Sequence, residues 1–160
     1  MISQVLELAL PGLVVALGLT TAVWIASLVK RDASIIDIFW GLGFVALAWT
    51  YRSQVPIESF RQTLVPILVT IWGCRLALHS YLRNRGHGED YRYAAMRAKR
   101  GASWPLVSLF LVFWLQGALF WIIAMPLLQI QIVREPAGWT LLDAVGLALF
   151  AVGFFFEAVG

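Results

Sequence analysis

Arg75, His79 and Arg83 recur every four residues and therefore share one face of a helix. Three basic groups in a line suit an anionic head such as a phosphate or pyrophosphate, and an apolar surrounding would strengthen that grip beyond what open water allows. The acids that could meet them are Asp37 and Glu157, which stand in or at the edge of long apolar runs; Asp143 stands near the start of the same run as Glu157. A charge in such a run is costly facing lipid, so each is expected to face a partner, a cavity or the headgroups. Two readings are open. In one, the cluster binds an anion. In the other, Arg75 pairs with Asp37 or Glu157 to specify packing, and His79 satisfies a backbone carbonyl. Gln116, deep in a further apolar run, needs a partner inside a bundle, either as packing glue or as a substrate contact.

Other chemistries lack their residues. There is no HExxH, no CxxC pair, no Gly-x-Ser-x-Gly, no Walker motif and no dinucleotide-binding glycine fingerprint, so metal hydrolysis, serine hydrolysis and nucleotide-driven pumping have no support. His79 and His87 are too few for a metal centre. The single cysteine, Cys74, forms no internal bridge and is expected to be a small buried hydrophobe.

The elements that position these residues follow from composition. The chain has 160 residues, of which 61% are hydrophobic and only 13% charged, with a mean hydropathy of +0.81. A soluble domain needs about a quarter of its residues charged, so this is an all-α integral membrane bundle. A span needs roughly 20 apolar residues. Five are expected: Leu8 to Val29, Ser34 to Tyr51, Thr63 to Leu82, Trp104 to Leu128 and Trp139 to Gly160. The fourth lies in a charge-free run, Gly101 to Val133, too long for one perpendicular helix, so it must tilt, bend or end early, leaving Gln129 to Gln131 at the interface. Residues 1–160 form one membrane domain.

Alternating sides puts Lys30, Arg31 and the six basic residues between Arg83 and Arg100 on one face, against Arg52, Arg61 and Arg134 on the other. The positive-inside rule then places the N-terminus outside and makes residues 83–103 a cytoplasmic basic loop. On this topology Asp37, Arg75 and Glu157 converge on the cytoplasmic half, and Asp143 lies near the outer end. Trp24, Trp40, Trp49, Trp104 and Trp139 fall near span ends, where indole rings anchor in headgroups. The glycines of Trp40–Phe44 are close enough together to let another helix approach.

In the basic loop, Gly86 and Gly88 can turn the chain, and Glu89 and Asp90 precede a short helical pattern, with Asp90 a candidate cap. Tyr91 and Tyr93 alternate around Arg92 and could lie over a ring or under the headgroups. Arg97, Lys99 and Arg100 suit anionic lipid. Nucleic acid is not an expected partner, because the net charge is only +3 and the strongest basic segment abuts the membrane.

IIDIFWGLGF (Ile35 to Phe44), WGCRL (Trp72 to Leu76), YLRNRGHGEDYRY (Tyr81 to Tyr93), LQG (Leu115 to Gly117) and GFFFEAVG (Gly153 to Gly160) together resemble, in order, the steroid 5-alpha-reductase family, best its bacterial branch of unknown function. The resemblance implies a reductase of the bacterial inner membrane that passes hydride from NADPH to an activated carbon–carbon double bond of a steroid-like or other lipid substrate. It makes Arg75, His79 and Glu157 the candidate catalytic residues, His79 lying near the position of a carbonyl-polarising tyrosine in the eukaryotic members. Arg83, Arg85, Asp37 and Tyr91 become candidate cofactor contacts, the two arginines near the phosphates. Members of that family continue beyond the segment matching Gly160, so this chain is expected to correspond to the N-terminal portion of a reductase, with an incomplete cofactor site. Two other classes stay open: a membrane methyltransferase related to those acting on isoprenylated cysteine, and a non-catalytic membrane protein or transporter subunit whose buried charges glue helices together.

Overall fold

Long apolar runs have no water to satisfy their peptide groups, and they close those groups internally as helices. The computed structural model, which describes residues 2–56, 58–133 and 138–159, contains five helical stretches long and apolar enough to cross a membrane. The protein is an all-α, multi-pass integral membrane bundle. Arg134, Pro136 and Gly160 lie outside the described residues.

Helix α1 (Ile2–Lys30) contains Pro11, beside which Gln54 Nε2 and Trp121 Nε1 donate to the Leu8 and Ala9 carbonyls. Helices α2 (Ile35–Ser53) and α3 (Arg61–Asn84) follow, each a turn or less from its expected bounds. After α3 the chain turns at Gly86 and Gly88, whose φ of 84° and 46° belong to the left-handed region that glycine reaches without strain. Asp90 accepts the Arg92 N–H and caps the basic helix α4 (Tyr91–Arg100).

The fourth span bends rather than ending early. It is assembled from α5 (Trp104–Ser108), a π-helical stretch (Leu109–Trp114), α6 (Leu115–Ile123) and α7 (Met125–Ile132), and breaks at Ala124, just before Pro126. It runs past Leu128, and Gln131 is 3% exposed and exchanges side chain–backbone hydrogen bonds with Gln62 of α3. The last helix is α8 (Leu141–Val159).

Two clusters make the core. One joins Ala9 and Ala16 of α1 to Phe44, Leu47 and Tyr51 of α2 and Phe120 of α6; the other joins Val23, Ile36, Tyr93, Trp104 and Phe113 across α1, α2, α4 and the fourth span. Two of the expected headgroup anchors are therefore interior. Trp104 is 3% exposed with the Arg97 guanidinium over its ring, and the Trp40 N–H donates to Gln116 Oε1. Cys74 is exposed on the outside of α3 rather than buried.

Lipid does not squeeze helices together as water does, so close packing and hydrogen bonds must hold them. The tightest crossing is where Gly41 of α2 meets Gly73 of α3: a Cβ on Gly41 would lie 2.2 Å from the Gly73 carbonyl oxygen. The helix approach expected of the Trp40–Phe44 glycines is found there. At the α4 end, Glu89 accepts the Ala33 N–H at 2.8 Å and two bonds from Arg97, stapling the loop to the start of α2. Burial pushes the Glu89 carboxyl up, but the bonds from Arg97 and Ala33 outweigh it and hold the group below its ordinary range.

Candidate functional site

Gly73 is committed to α2, and each residue turns an α-helix by about 100°, so Arg75 points some 200° away from that contact. It therefore faces α8. Arg75 Nη1 donates to Glu157 Oε1 at 2.7 Å, Nη2 donates to the Glu157 carbonyl oxygen, and Trp72 Nε1, one turn earlier on the same face, donates to Glu157 Oε2 at 2.7 Å. At the far end of the same two helices Arg61 holds both oxygens of Asp143 at 2.6 Å, and Thr140 caps Asp143. The ion pairs have one register: Arg61 and Asp143 are 82 positions apart, as are Arg75 and Glu157. Helices α3 and α8 thus run parallel, pinned at two points. Between the pins lies an apolar crevice, with volumes of about 590 Å³ toward Asp143 and 370 Å³ toward Glu157.

Asp37 is not part of this group. Tyr93 donates to Asp37 Oδ1 at 3.3 Å, Gln116 Nε2 donates to the Tyr93 oxygen at 3.2 Å, and Arg92 stands 3.9 Å from the carboxylate. With the Trp40 bond to Gln116, this chain ties α2, α4 and α6 together, as packing glue would. The expected pairing of Arg75 with either acid is met by Glu157, and the expected convergence of Asp37 on Arg75 is corrected: Asp37 faces α4 while Arg75 faces α8. An aromatic layer stands between the two groups. Trp40 packs against Phe44 at 6.2 Å and Phe44 against Trp72 at 5.7 Å.

The remaining candidates lie toward the face that carries α4. His79 is exposed one turn beyond Arg75 and makes no hydrogen bond among the described residues. Arg83 is exposed, with a long 3.4 Å contact to Asn84. Arg85 lines a cleft of about 140 Å³ with Lys30, Asp32, Ser34, Tyr81 and Asn84; Asp32 accepts from Ser34, and neither Arg85 nor Lys30 forms an ion pair among the described residues. Tyr91 is 80% exposed at the start of α4 and lines none of these cavities. Sequence reasoning missed Arg61, Trp72 and Tyr93 as parts of the polar framework. The signal for Arg61 and Trp72 was present, since both share the Arg75 face of α3 at heptad-like spacing.

The family described as a protein of unknown function, DUF1295, matches residues 23–160, and the chain belongs to it. No curated protein and no solved structure matches the chain.

Proposed function

We propose that this DUF1295 protein is the membrane part of a reductase that saturates a carbon–carbon double bond conjugated to a carbonyl in a steroid-like or other lipid substrate, with NADPH as reductant. The observation that carries the reading is the Arg75 guanidinium, held by Glu157, which also takes the Trp72 N–H, beside one end of an apolar crevice lined by Trp72 and Glu157 and near the basic face. The bias of Lys and Arg supports a cytoplasmic position for that face, where the cofactor would be supplied.

The residues on that face fit part of such a cofactor. A 140 Å³ cleft with Lys30 and Arg85 at its rim, and Asp32 taken up by Ser34, matches one phosphate group and not a dinucleotide, so the two cations would grip a phosphate while the rest of the molecule lies outside the cleft. When bound, NADPH supplies hydride to the β-carbon of the double bond. As the π electrons move onto oxygen, the Arg75 N–H groups not given to Glu157 stabilise the developing enolate, while the Trp72 N–H helps to hold Glu157 in place. Arg75 acts as a fixed donor. Glu157 positions it. His79, one turn nearer the cytoplasm, returns a proton to the α-carbon, which balances the addition of H⁻ and H⁺ across the bond.

The test uses the full chain in lipid nanodiscs: energy transfer from tryptophan to bound NADPH, and NADPH oxidation with a long-chain enone. Binding that weakens with salt and with Lys30→Ala or Arg85→Ala, and oxidation lost in Arg75→Ala, support the reading. Binding of S-adenosylmethionine in place of NADPH turns it to methyl transfer, and binding of neither leaves the ion pairs a purely structural role.

A further inference from the structure

The end of the bundle that carries α4 is rich in cations, and they fall into two groups. Some are committed to partners. Arg97 gives two bonds to Glu89 and lies over the Trp104 ring, and Arg92 holds Asp90. The other two acids near α4 are also occupied, Asp32 by the N–H and hydroxyl of Ser34 and Asp37 by Tyr93. Arg97, expected from the sequence to meet lipid, is thereby tied into the protein. Arg31, Lys99 and Arg100 form the second group: they are exposed, and their side chains make no hydrogen bond or ion pair among the described residues.

Arg31 is unusual in its backbone. Its φ of 53° puts it, alone of the described residues other than glycine, in the left-handed region, and the turn lets the Asp32 N–H reach back to the Ser27 carbonyl at 3.1 Å. Glycine makes such a turn without strain, whereas arginine strains the backbone, and no bond of its side chain within the chain offsets that. The turn also confines the guanidinium. Only Arg31 to Ser34 join α1 to α2, and both helices are membrane spans, so Arg31 stays in the headgroup layer, about 5–8 Å deep. On α4, Tyr93 reaches Asp37 and, one turn on, Arg97 reaches Glu89 beside Ala33, so this helix runs back toward the same connection. Lys99 and Arg100 come next. A three-residue turn, Gly101–Ser103, then leads into the fourth span, whose Pro105 carbonyl takes the Trp24 N–H of α1. Held between those two contacts, Lys99 and Arg100 share the membrane boundary with Arg31.

We infer that Arg31, Lys99 and Arg100 form a binding site for the phosphate of an anionic phospholipid, such as phosphatidylglycerol, in the leaflet on the α4 side. The phosphodiester supplies the negative charge that these cations find nowhere in the chain, and guanidinium groups match its oxygens with paired N–H donors. A lipid suits the site better than a soluble anion, because all three cations are confined to the boundary where lipid phosphates lie. There each Lys or Arg favours an anionic surface about fivefold. Below them both spans turn apolar side chains outward, Ile25 and Val29 on α1 and Leu106 and Phe110 on the fourth span, a surface that acyl chains cover. Lys30 and Arg85 stay with the cleft assigned to the cofactor, so the lipid site stands whether or not NADPH binds.

Native mass spectrometry of the full chain in detergent, titrated with phosphatidylglycerol or with phosphatidylcholine of equal chain length, counts bound lipids and gives the affinity of the first. Phosphatidylglycerol is expected to bind about tenfold more tightly or better. Arg31→Gly is the most telling variant, because it removes the guanidinium and relieves the turn at once. It should weaken the first phosphatidylglycerol about fivefold, leave phosphatidylcholine unchanged, and unfold at a temperature no lower than the native chain. Lys99→Gln with Arg100→Gln removes most of the remaining preference. Arg52→Gln, at the other end of α2, leaves it intact. Equal affinity for the two lipids, a preference that Arg31→Gly leaves whole, or a loss of stability in that variant overturns the proposal. Displacement of phosphatidylglycerol by equimolar inorganic phosphate or NADPH also overturns it, by making the three cations a site for a soluble anion.

Discussion

Replacing Gly41 with alanine puts a methyl group where the backbone of α3 already is. The new Cβ would stand 2.2 Å from the Gly73 carbonyl oxygen, 2.9 Å from its carbon and 3.0 Å from its Cα, whereas ordinary contacts begin near 3.4 Å. Backbone cannot swing aside as a side chain can, so α2 and α3 must part by an ångström or more. Overpacking of this kind costs about 1–3 kcal/mol, and the upper end is expected here. The displacement also reaches the site, because Trp72 lies one residue before Gly73 and its 2.7 Å bond to Glu157 has less than an ångström to spare before it fails. Reversible unfolding in mixed micelles of rising dodecyl sulfate content, followed by tryptophan fluorescence, measures the loss. Gly18→Ala is the control: nothing lies within 4 Å of its Cβ site, and the helix gains roughly 0.5–1 kcal/mol from losing a glycine. A Gly41→Ala protein as stable as the native chain would refute the reasoning.

Three further outcomes are expected. Glu89 has a lowered pKa in the folded state, so its staple to Ala33 and Arg97 contributes fully above its ordinary pKa of 4.5 and is lost as pH falls through the lower folded value; exchange of the Ala33 amide should quicken in that acid window, and show no such step in Glu89→Leu, which lacks the acceptor at every pH. Arg61→Leu takes the guanidinium from the Asp143 carboxylate and costs about 2.5–3.5 kcal/mol or less near the span end, while the double variant with Asp143→Leu costs less than the sum of the two single ones, which the same unfolding assay reads as a coupling energy. Gln116→Leu removes bonds to Trp40 and Tyr93 and costs about 1–2 kcal/mol, with a change in tryptophan emission as Trp40 loses its acceptor.

Hydropathy made the five spans legible from the sequence, because lipid leaves a chain few other options, and it showed the fourth run to be too long without saying whether tilt, bend or an early end would absorb the excess. The Arg75–Glu157 pair was half visible: the residues were recognisable, but the choice between Asp37 and Glu157 depended on which face of α3 meets α2. Gly73 decides that, and its contact with Gly41 is a tertiary fact that no local pattern states. The second pin was written in the sequence as two equal 14-residue intervals, Arg61 to Arg75 and Asp143 to Glu157. It went unread because hydropathy puts Arg61 outside its span. The Asp37, Tyr93 and Gln116 chain was illegible for another reason. It joins residues 56 and 23 positions apart through a loop-borne helix whose docking depends on Glu89.

The pinned register of α3 and α8 carries the proposed chemistry. It is measured most directly by pulsed dipolar spectroscopy between spin labels on the native Cys74 and on Leu149→Cys, both exposed, in the full chain in nanodiscs. A single narrow distance distribution that broadens when Glu157→Leu is added is the predicted result. A distribution already broad with Glu157 in place, or one that Glu157→Leu leaves narrow, would contradict it.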